Sequence, residues 1–161
     1  MGYNFAGKNI VLISPKFFNY EQEIKCELER KGASVYFIDD RLKDNIFTKI
    51  LFRTKFSEKL LRNKIVRYFD KHLRKIKTRK IDYVLAITPE GFSKRVIGFY
   101  KKELQDAVFI LYMWDSIRNR PYITEMLGLY DKVLTFDKND SNDYAFYFRP
   151  LFYTDDYREI G

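Results

Sequence analysis

The stretch AVFILYMWDS, residues 107–116, begins with eight apolar residues in a row and then reaches a carboxylate, Asp115. Eight residues suit a strand and fall far short of the roughly 20 that a membrane-spanning helix needs. An apolar run without polar alternation is typical of a strand covered on both faces, as in a parallel sheet. The stretch therefore predicts a central buried strand whose tip carries Trp114, Asp115 and Ser116.

Five further segments are also rich in apolar residues, and helical segments separate several of them. The predicted strands are residues 9–14, 33–40, 81–89, 107–115, 131–137 and a short sixth at 144–153, broken at Pro150. Apolar residues at helical spacing fill residues 16–31 and follow Ser93, a suitable N-cap. This alternation, without hairpin signals, predicts an α/β fold, a three-layer Rossmann-like sandwich with a mostly parallel sheet. Right-handed crossovers favour the strand order 3-2-1-4-5.

The composition is that of a globular chain, with 46% hydrophobic and 32% charged residues among 161. This length is enough for one domain with a real core. The single cysteine, Cys26, cannot form an internal disulfide, and no His or Cys cluster has metal-ligand spacing. We therefore expect no metal site, and the missing signal-peptide pattern favours a cytoplasmic location.

The net charge of +8 is concentrated in one segment, residues 49–80, which holds 13 Lys and Arg against two acids. This segment predicts a long basic helical insertion between the second and third strands, as one bent helix or two. Its predicted apolar face is Leu61, Ile65, Phe69, His72 and Ile76. No second His or Cys lies near His72, which favours a packed histidine over a metal ligand.

Ligands of open parallel sheets bind at the carboxyl ends of the strands, beside the point where the strand order reverses. The predicted order places this point between strands one and four, so Ser14 and Asp115 are expected to face each other. Asp115 would serve as a catalytic base if held close to a hydroxyl, or would cap the next helix with the help of Ser116. The residues predicted to bind a substrate are Ser14, Lys16, Asp40, Glu90, Trp114 and Ser116.

Several familiar sites are excluded. The first turn, SPKFFNY, has no glycine for a dinucleotide pyrophosphate, and no GxxxxGK[ST] sequence exists. A phosphate-receiver domain needs an acidic pair after its first strand, whereas Asp39 and Asp40 follow the second. No histidine is placed to activate Ser14 or Ser116.

An ordered series of five segments resembles the N-terminal half of bacterial GT-B glycosyltransferases of the CgeB-like, or spore-maturation-protein-like, group. The segments are KNIVLISPKFF (8–18), YVLAITPEGFS (83–93), YMWDSIRNRP (112–121), YDKVLTFDKNDSNDY (130–144) and FRPLFYTDDY (148–157). The resemblance implies an acceptor-binding domain of an enzyme of surface-polysaccharide synthesis, with Asp115 and Ser116 matching an Asp-Ser pair of the family. Ile117 departs from the proline that often follows this pair.

The resemblance further implies an N-terminal domain at residues 1–150 and a connector at 151–161 to a missing C-terminal donor domain. That domain would hold a nucleotide-sugar, so no cofactor is expected in this chain, and the chain alone would be inactive. The partners implied are a sugar or lipid-linked acceptor and the donor domain.

A lipid-linked acceptor would also give the basic segment a role, because basic amphipathic helices bind anionic lipid headgroups on the inner face of a membrane. The residues predicted to face that surface are Arg62, Lys64, Arg67, Lys71, Arg74 and Lys75. A solvated charged face is the alternative. Two other functions stay open: a stand-alone Rossmann-like binding or interaction module, and a nonspecific nucleic-acid binder, which is disfavoured because the segment matches no known reading motif.

Overall fold

A computed structural model describes residues 4–41 and 55–151, with the side chains of residues 55–61 excepted. The strands are β1 (Asn9–Ser14), β2 (Ser34–Asp39), β3 (Tyr83–Ile87), β4 (Val108–Met113), β5 (Lys132–Thr135) and β6 (Tyr147–Phe148). The helices are α1 (Tyr20–Arg30), α2 (Lys55–Ile76), α3 (Lys94–Glu103), a 3₁₀ helix (Pro121–Leu129) and α4 (Lys138–Tyr144). The predicted α/β class and six strands are confirmed within these residues.

All six strands pair in parallel in one sheet, in the order β2-β1-β3-β4-β5-β6. The predicted order 3-2-1-4-5 is therefore wrong. The chain runs outward from β1 to β2 and then returns to place β3 on the other side of β1, the doubly wound order of flavodoxin-like folds. As a result β3 lies between β1 and β4, and the reversal point lies between β1 and β3.

β1 is buried on both faces, as its continuous apolar run predicts. β4 was predicted to be covered on both faces, but its residues alternate between buried and half-buried, so only one of its faces is fully covered. Val11 and Ile13 of β1 belong to the main core, while the alternating residues Ile10 and Leu12 are also buried. Right-handed crossovers place α1 on one face and α2, α3 and the 3₁₀ helix on the other, where α3 contacts both α2 and the 3₁₀ helix. The helices packed on the two faces of the sheet hold the tips of the strands in fixed positions.

Helix α1 begins at Tyr20 and not at residue 16, as the apolar spacing predicted. Phe18 and Asn19 have φ angles of 48° and 65°, which a right-handed helix cannot contain. The buried carboxylate of Glu21 accepts a hydrogen bond from the N–H of Phe17 at 3.2 Å and closes this turn. The chain thus makes a left-handed turn after β1 without glycine.

The basic segment is described from Lys55 onward, where it forms α2; residues 42–54 and the Leu61 side chain lie outside the described residues. Phe69 and Ile76 are buried in the core, which confirms the predicted apolar face at these positions. His72 is packed, as predicted, with Nδ1 3.0 Å from the hydroxyl of Tyr36. Within the described residues, no helix is both long and apolar enough to cross a bilayer.

Candidate functional site

A pocket of about 190 Å³ opens at the carboxyl edge of the sheet, where four neighbouring strands end. Its lining residues are Pro15 and Phe17 after β1, Arg41 after β2, Thr88 and Glu90 after β3, and Trp114, Asp115 and Arg120 after β4. The pocket covers the reversal point between β1 and β3, where sheets of this order bind their ligands. It is therefore the candidate functional site.

Four charged side chains of the pocket alternate in sign and are joined in a chain. Asp115 Oδ2 accepts a hydrogen bond from Arg120 Nε at 3.1 Å, and Arg120 Nη1 donates to Glu90 Oε1 at 3.0 Å. The same Glu90 oxygen lies 3.4 Å from Arg41 Nη2. Two guanidinium groups from opposite sides of the pocket thus converge on one carboxylate oxygen.

Asp115 is held as an anion by three donors. Its Oδ1 accepts from the N–H of Ser116 at 3.0 Å and from Asn119 Nδ2 at 2.7 Å, in addition to the contact with Arg120. Partial burial raises the pKa of Asp115, but the hydrogen bonds outweigh it and leave the pKa below its usual value. A carboxylate held in this way is a weak proton acceptor and is well suited to orient Arg120.

Arg120 remains a cation for a related reason. Partial burial lowers the pKa of this guanidinium, but the hydrogen bond to Asp115 and the charge of Glu90 outweigh it and raise the pKa. Its Nε faces Asp115 while Nη1 points to Glu90, so the guanidinium is fixed at one end and presents the other to the pocket. Arg120 is the best-positioned donor of the site.

Thr88 lies on the pocket wall in a strained conformation. Its φ of 36° is rare for a β-branched residue, and the residue after it is Pro89. Two hydrogen bonds hold it there: its N–H donates to the Tyr112 carbonyl at 3.0 Å, and its hydroxyl accepts from the Trp114 N–H at 2.7 Å. Backbone strain that neighbouring groups maintain is concentrated at functional sites in proteins, which favours this edge as one.

Aromatic rings form one side of the pocket. The half-buried ring of Trp114 packs edge-to-face with Tyr20 at a centroid distance of 6.2 Å and with Tyr112 at 6.1 Å. Phe17 lies next to Tyr20, with centroids 6.3 Å apart, and keeps 47% of its surface exposed. The site therefore combines an apolar wall with charged groups.

Asp40 was predicted to bind a substrate, and the structure places it beneath the pocket with 3% of its surface exposed. Its two oxygens accept hydrogen bonds from the backbone N–H groups of Glu90, Gly91 and Phe92, the last at 2.8 Å. Burial raises the pKa of Asp40, and the three N–H groups act in the opposite direction. Since both oxygens accept, Asp40 positions the loop that carries Glu90.

The remaining predicted residues are placed unequally. Glu90, Trp114 and Asp115 line the pocket together, on the tips of adjacent strands. Ser14 is fully buried and its hydroxyl donates to the carbonyl of Pro15 at 3.1 Å, while Lys16 is exposed. Because β3 separates β1 from β4, the predicted direct facing of Ser14 and Asp115 is wrong.

Ser116 acts through its backbone in the loop after β4. Its carbonyl accepts hydrogen bonds from the N–H groups of Asn119 and Arg120, at 3.0 and 3.1 Å. The buried carboxylate of Asp140, in α4, accepts from the N–H of Ile117 at 2.7 Å. These contacts hold the loop in the turn that directs Arg120 toward the pocket.

Sequence reasoning did not select Arg41, Thr88 or Arg120 as site residues. Arg41 directly follows the predicted strand 33–40, and Thr88 lies at the end of the predicted strand 81–89, so both positions indicate this edge of the sheet. Arg120 lies seven residues beyond the end of β4 and reaches the pocket through the turn that Ser116 and Asp140 hold. No local pattern marks that turn.

The six basic residues predicted to face a membrane are all exposed on α2. Arg74 is paired with Asp70 at 2.9 Å. Because the apolar residues of this helix pack against the core, the described part of α2 presents a mainly charged surface to the outside. Among the described residues, no group of three or more His, Cys, Asp or Glu side chains is placed to hold a metal ion.

Comparison with known proteins gives one structural likeness. No protein-family model and no curated protein matches the chain. Among solved structures it is similar to the response regulator TrrA from Thermotoga maritima, solved with Mg²⁺-BeF, at 17% identity and a TM-score of 0.46. The match covers 86% of this chain and 94% of that one. This likeness does not carry the function of that protein over to this chain.

The interpretation of this chain as the N-terminal half of a GT-B glycosyltransferase of polysaccharide synthesis is wrong. No glycosyltransferase family is matched, and the structural likeness is to a response regulator. The motifs that suggested the enzyme are short strands with polar tips, which many doubly wound sheets share. The resemblance therefore reflects a shared type of sheet and does not indicate a shared activity.

Proposed function

We propose that this chain is a binding module that holds a small molecule in the pocket at the carboxyl edge of its sheet. The observation that carries the proposal is the convergence of Arg41 and Arg120 on Glu90 beside the Trp114 ring, at the reversal point of the sheet. At about 190 Å³ the pocket lies below the roughly 300–1,000 Å³ of drug-sized sites, so it suits a ligand of one ring with a polar group.

Binding alone is the role that the charges favour. The acids among the described lining residues are Glu90 and Asp115, and each is engaged by an arginine. The pKa of Asp115 lies below its usual value, which makes this carboxylate a poor general base near neutral pH. The site recognises a ligand through oriented charges and ring contacts.

Trp114 is the only tryptophan in the chain, so its indole N–H resonance reports on this pocket alone. We expect that resonance and the indole fluorescence to shift on titration with at least one of four probes: benzoate, benzamide, benzylamine or inorganic phosphate. Such small probes bind weakly, with dissociation constants on the order of 1 mM.

Arg120→Ala should remove the response, because it deletes the best-oriented donor of the site. Arg95→Ala is the matched control, since Arg95 is an exposed arginine on α3 whose guanidinium stacks over Phe99 at 5.8 Å. If none of the four probes moves the Trp114 signals, the binding proposal is wrong.

We also propose contact of α2 with an anionic membrane surface. The exposure of its basic residues supports this, and the burial of its apolar side makes the contact electrostatic, without insertion. Each Lys or Arg at such a surface contributes about 1 kcal/mol, so several give reversible binding.

Arg67→Glu with Lys71→Glu should weaken binding to vesicles of phosphatidylcholine and phosphatidylserine by at least about tenfold. Lys102→Glu with Lys132→Glu, at exposed sites on α3 and β5, is the control for total charge. Cosedimentation measures the effect, and salt at about 1 M should abolish binding because the Debye length falls to about 3 Å. Equal binding of both double variants would count against the proposal.

A further inference from the structure

The side chain of Glu90 occupies the position where a bound anion would be recognised. Glu90 Oε1 accepts a hydrogen bond from Arg120 Nη1 at 3.0 Å and lies 3.4 Å from Arg41 Nη2. Two guanidinium groups converging on one oxygen is the arrangement with which proteins bind carboxylate and phosphate groups. Glu90 supplies such a group from within the chain.

The two arginines come from separate parts of the sheet, and each has a hydrogen bond that does not involve Glu90. Arg41 follows directly on β2, and its N–H donates to Asp39 Oδ1 at 3.0 Å. Arg120 is fixed through Nε by Asp115 and through its N–H by the turn at Ser116. The guanidinium of Arg120 and the backbone of Arg41 therefore stay in place at the pocket when the Glu90 side chain leaves.

The side chain of Glu90 is free to move in a way that its backbone is not. Its N–H is held by buried Asp40, whereas the side chain is 39% exposed and is engaged by the two arginines. Ion pairs of this exposure are weak and are easily exchanged for another anion. The carboxylate can rotate into solvent without moving the loop.

We propose that the pocket binds the anionic group of its ligand, a carboxylate or a phosphate, between Arg41 and Arg120, and that this group displaces the carboxylate of Glu90. This inference rests on the proposed binding function. It names the chemical class of the ligand, and it makes Glu90 a group of the chain itself that competes with the ligand for the two arginines. Glu90 keeps the two cations paired when the site is empty. The rings of Phe17 and Trp114 then contact the remainder of the ligand.

The test compares Glu90→Gln with the wild-type chain, using the Trp114 indole signals and the probes benzoate, inorganic phosphate and benzamide. The amide keeps the size of the side chain and removes the competing charge, so benzoate or phosphate should bind about three- to tenfold more tightly. Benzamide has the ring of benzoate without its charge, and its affinity should not rise. If only benzoate binds more tightly, the anionic group of the ligand is a carboxylate. If only phosphate binds more tightly, it is a phosphate.

Glu103→Gln is the matched control, because Glu103 is 40% exposed and is paired with Lys77 at 3.1 Å on another part of the surface. This variant changes the net charge equally and should leave probe affinity unchanged. Equal gains in the two variants would overturn the inference, since the effect would then come from net charge.

The two proposals fail in different ways. If the wild-type chain binds a probe but Glu90→Gln binds the anions no more tightly, the displacement is wrong and the binding function stands. If the wild-type chain responds to benzamide or benzylamine alone and Glu90→Gln also binds benzoate or phosphate, the displacement is supported directly. If neither chain responds to any probe, both proposals are wrong.

Discussion

Replacing Asp40 with alanine is expected to lower the free energy of unfolding by about 3 kcal/mol. The substitution removes the acceptor of three backbone N–H groups, those of Glu90, Gly91 and Phe92, at a position that is 3% exposed. Each buried donor without a partner costs about 1–3 kcal/mol, and relief of the buried charge offsets part of the sum. Urea unfolding followed by circular dichroism measures the change.

Two further variants make this expectation specific. Asp40→Asn keeps one acceptor oxygen and should lose less stability than alanine. Asp39→Ala is the neighbouring control, because the half-buried Asp39 side chain accepts a single described hydrogen bond, from the N–H of Arg41. Its loss should be about 1 kcal/mol. Equal losses at positions 39 and 40 would contradict the assigned role of Asp40.

The same loop gives the second large effect. Gly91→Ala is expected to destabilise the chain by about 2 kcal/mol, because the new Cβ would lie 2.6 Å from the backbone carbonyl oxygen of Asp40. The φ of Gly91 is not in the left-handed region, so the requirement is one of space alone. Backbone must shift to admit the methyl group, and the shift would move Glu90 away from Arg41 and Arg120.

Gly98→Ala is the matched control within α3. A Cβ at Gly98 meets no atom within 4 Å outside its own helix, and the position is exposed. Alanine is a better helix former than glycine, so this variant should gain about 0.5–1 kcal/mol. Equal losses at Gly91 and Gly98, or no loss at Gly91, would show that the close approach of Gly91 to Asp40 does not limit the fold.

Local sequence patterns predicted those site residues that lie at the end of a single strand. Trp114, Asp115 and Glu90 were expected at this edge because each lies next to the end of an apolar run. Asp40 was selected for the same reason, but its carboxylate accepts from the loop of another strand and lies beneath the pocket. A sequence pattern indicates that an acid ends a strand and does not indicate whether it faces solvent or another loop.

The amino-acid sequence by itself determined the six strands, most of the helices and the polar tips of the strands, because apolar runs and helical spacing are local properties. The tertiary structure alone decided the strand order, since five apolar strands of similar length can pair in several orders that leave the same local pattern. That order places β3 between β1 and β4 and so brings Glu90 between Arg41 and Arg120. The charged pocket exists because of this long-range pairing.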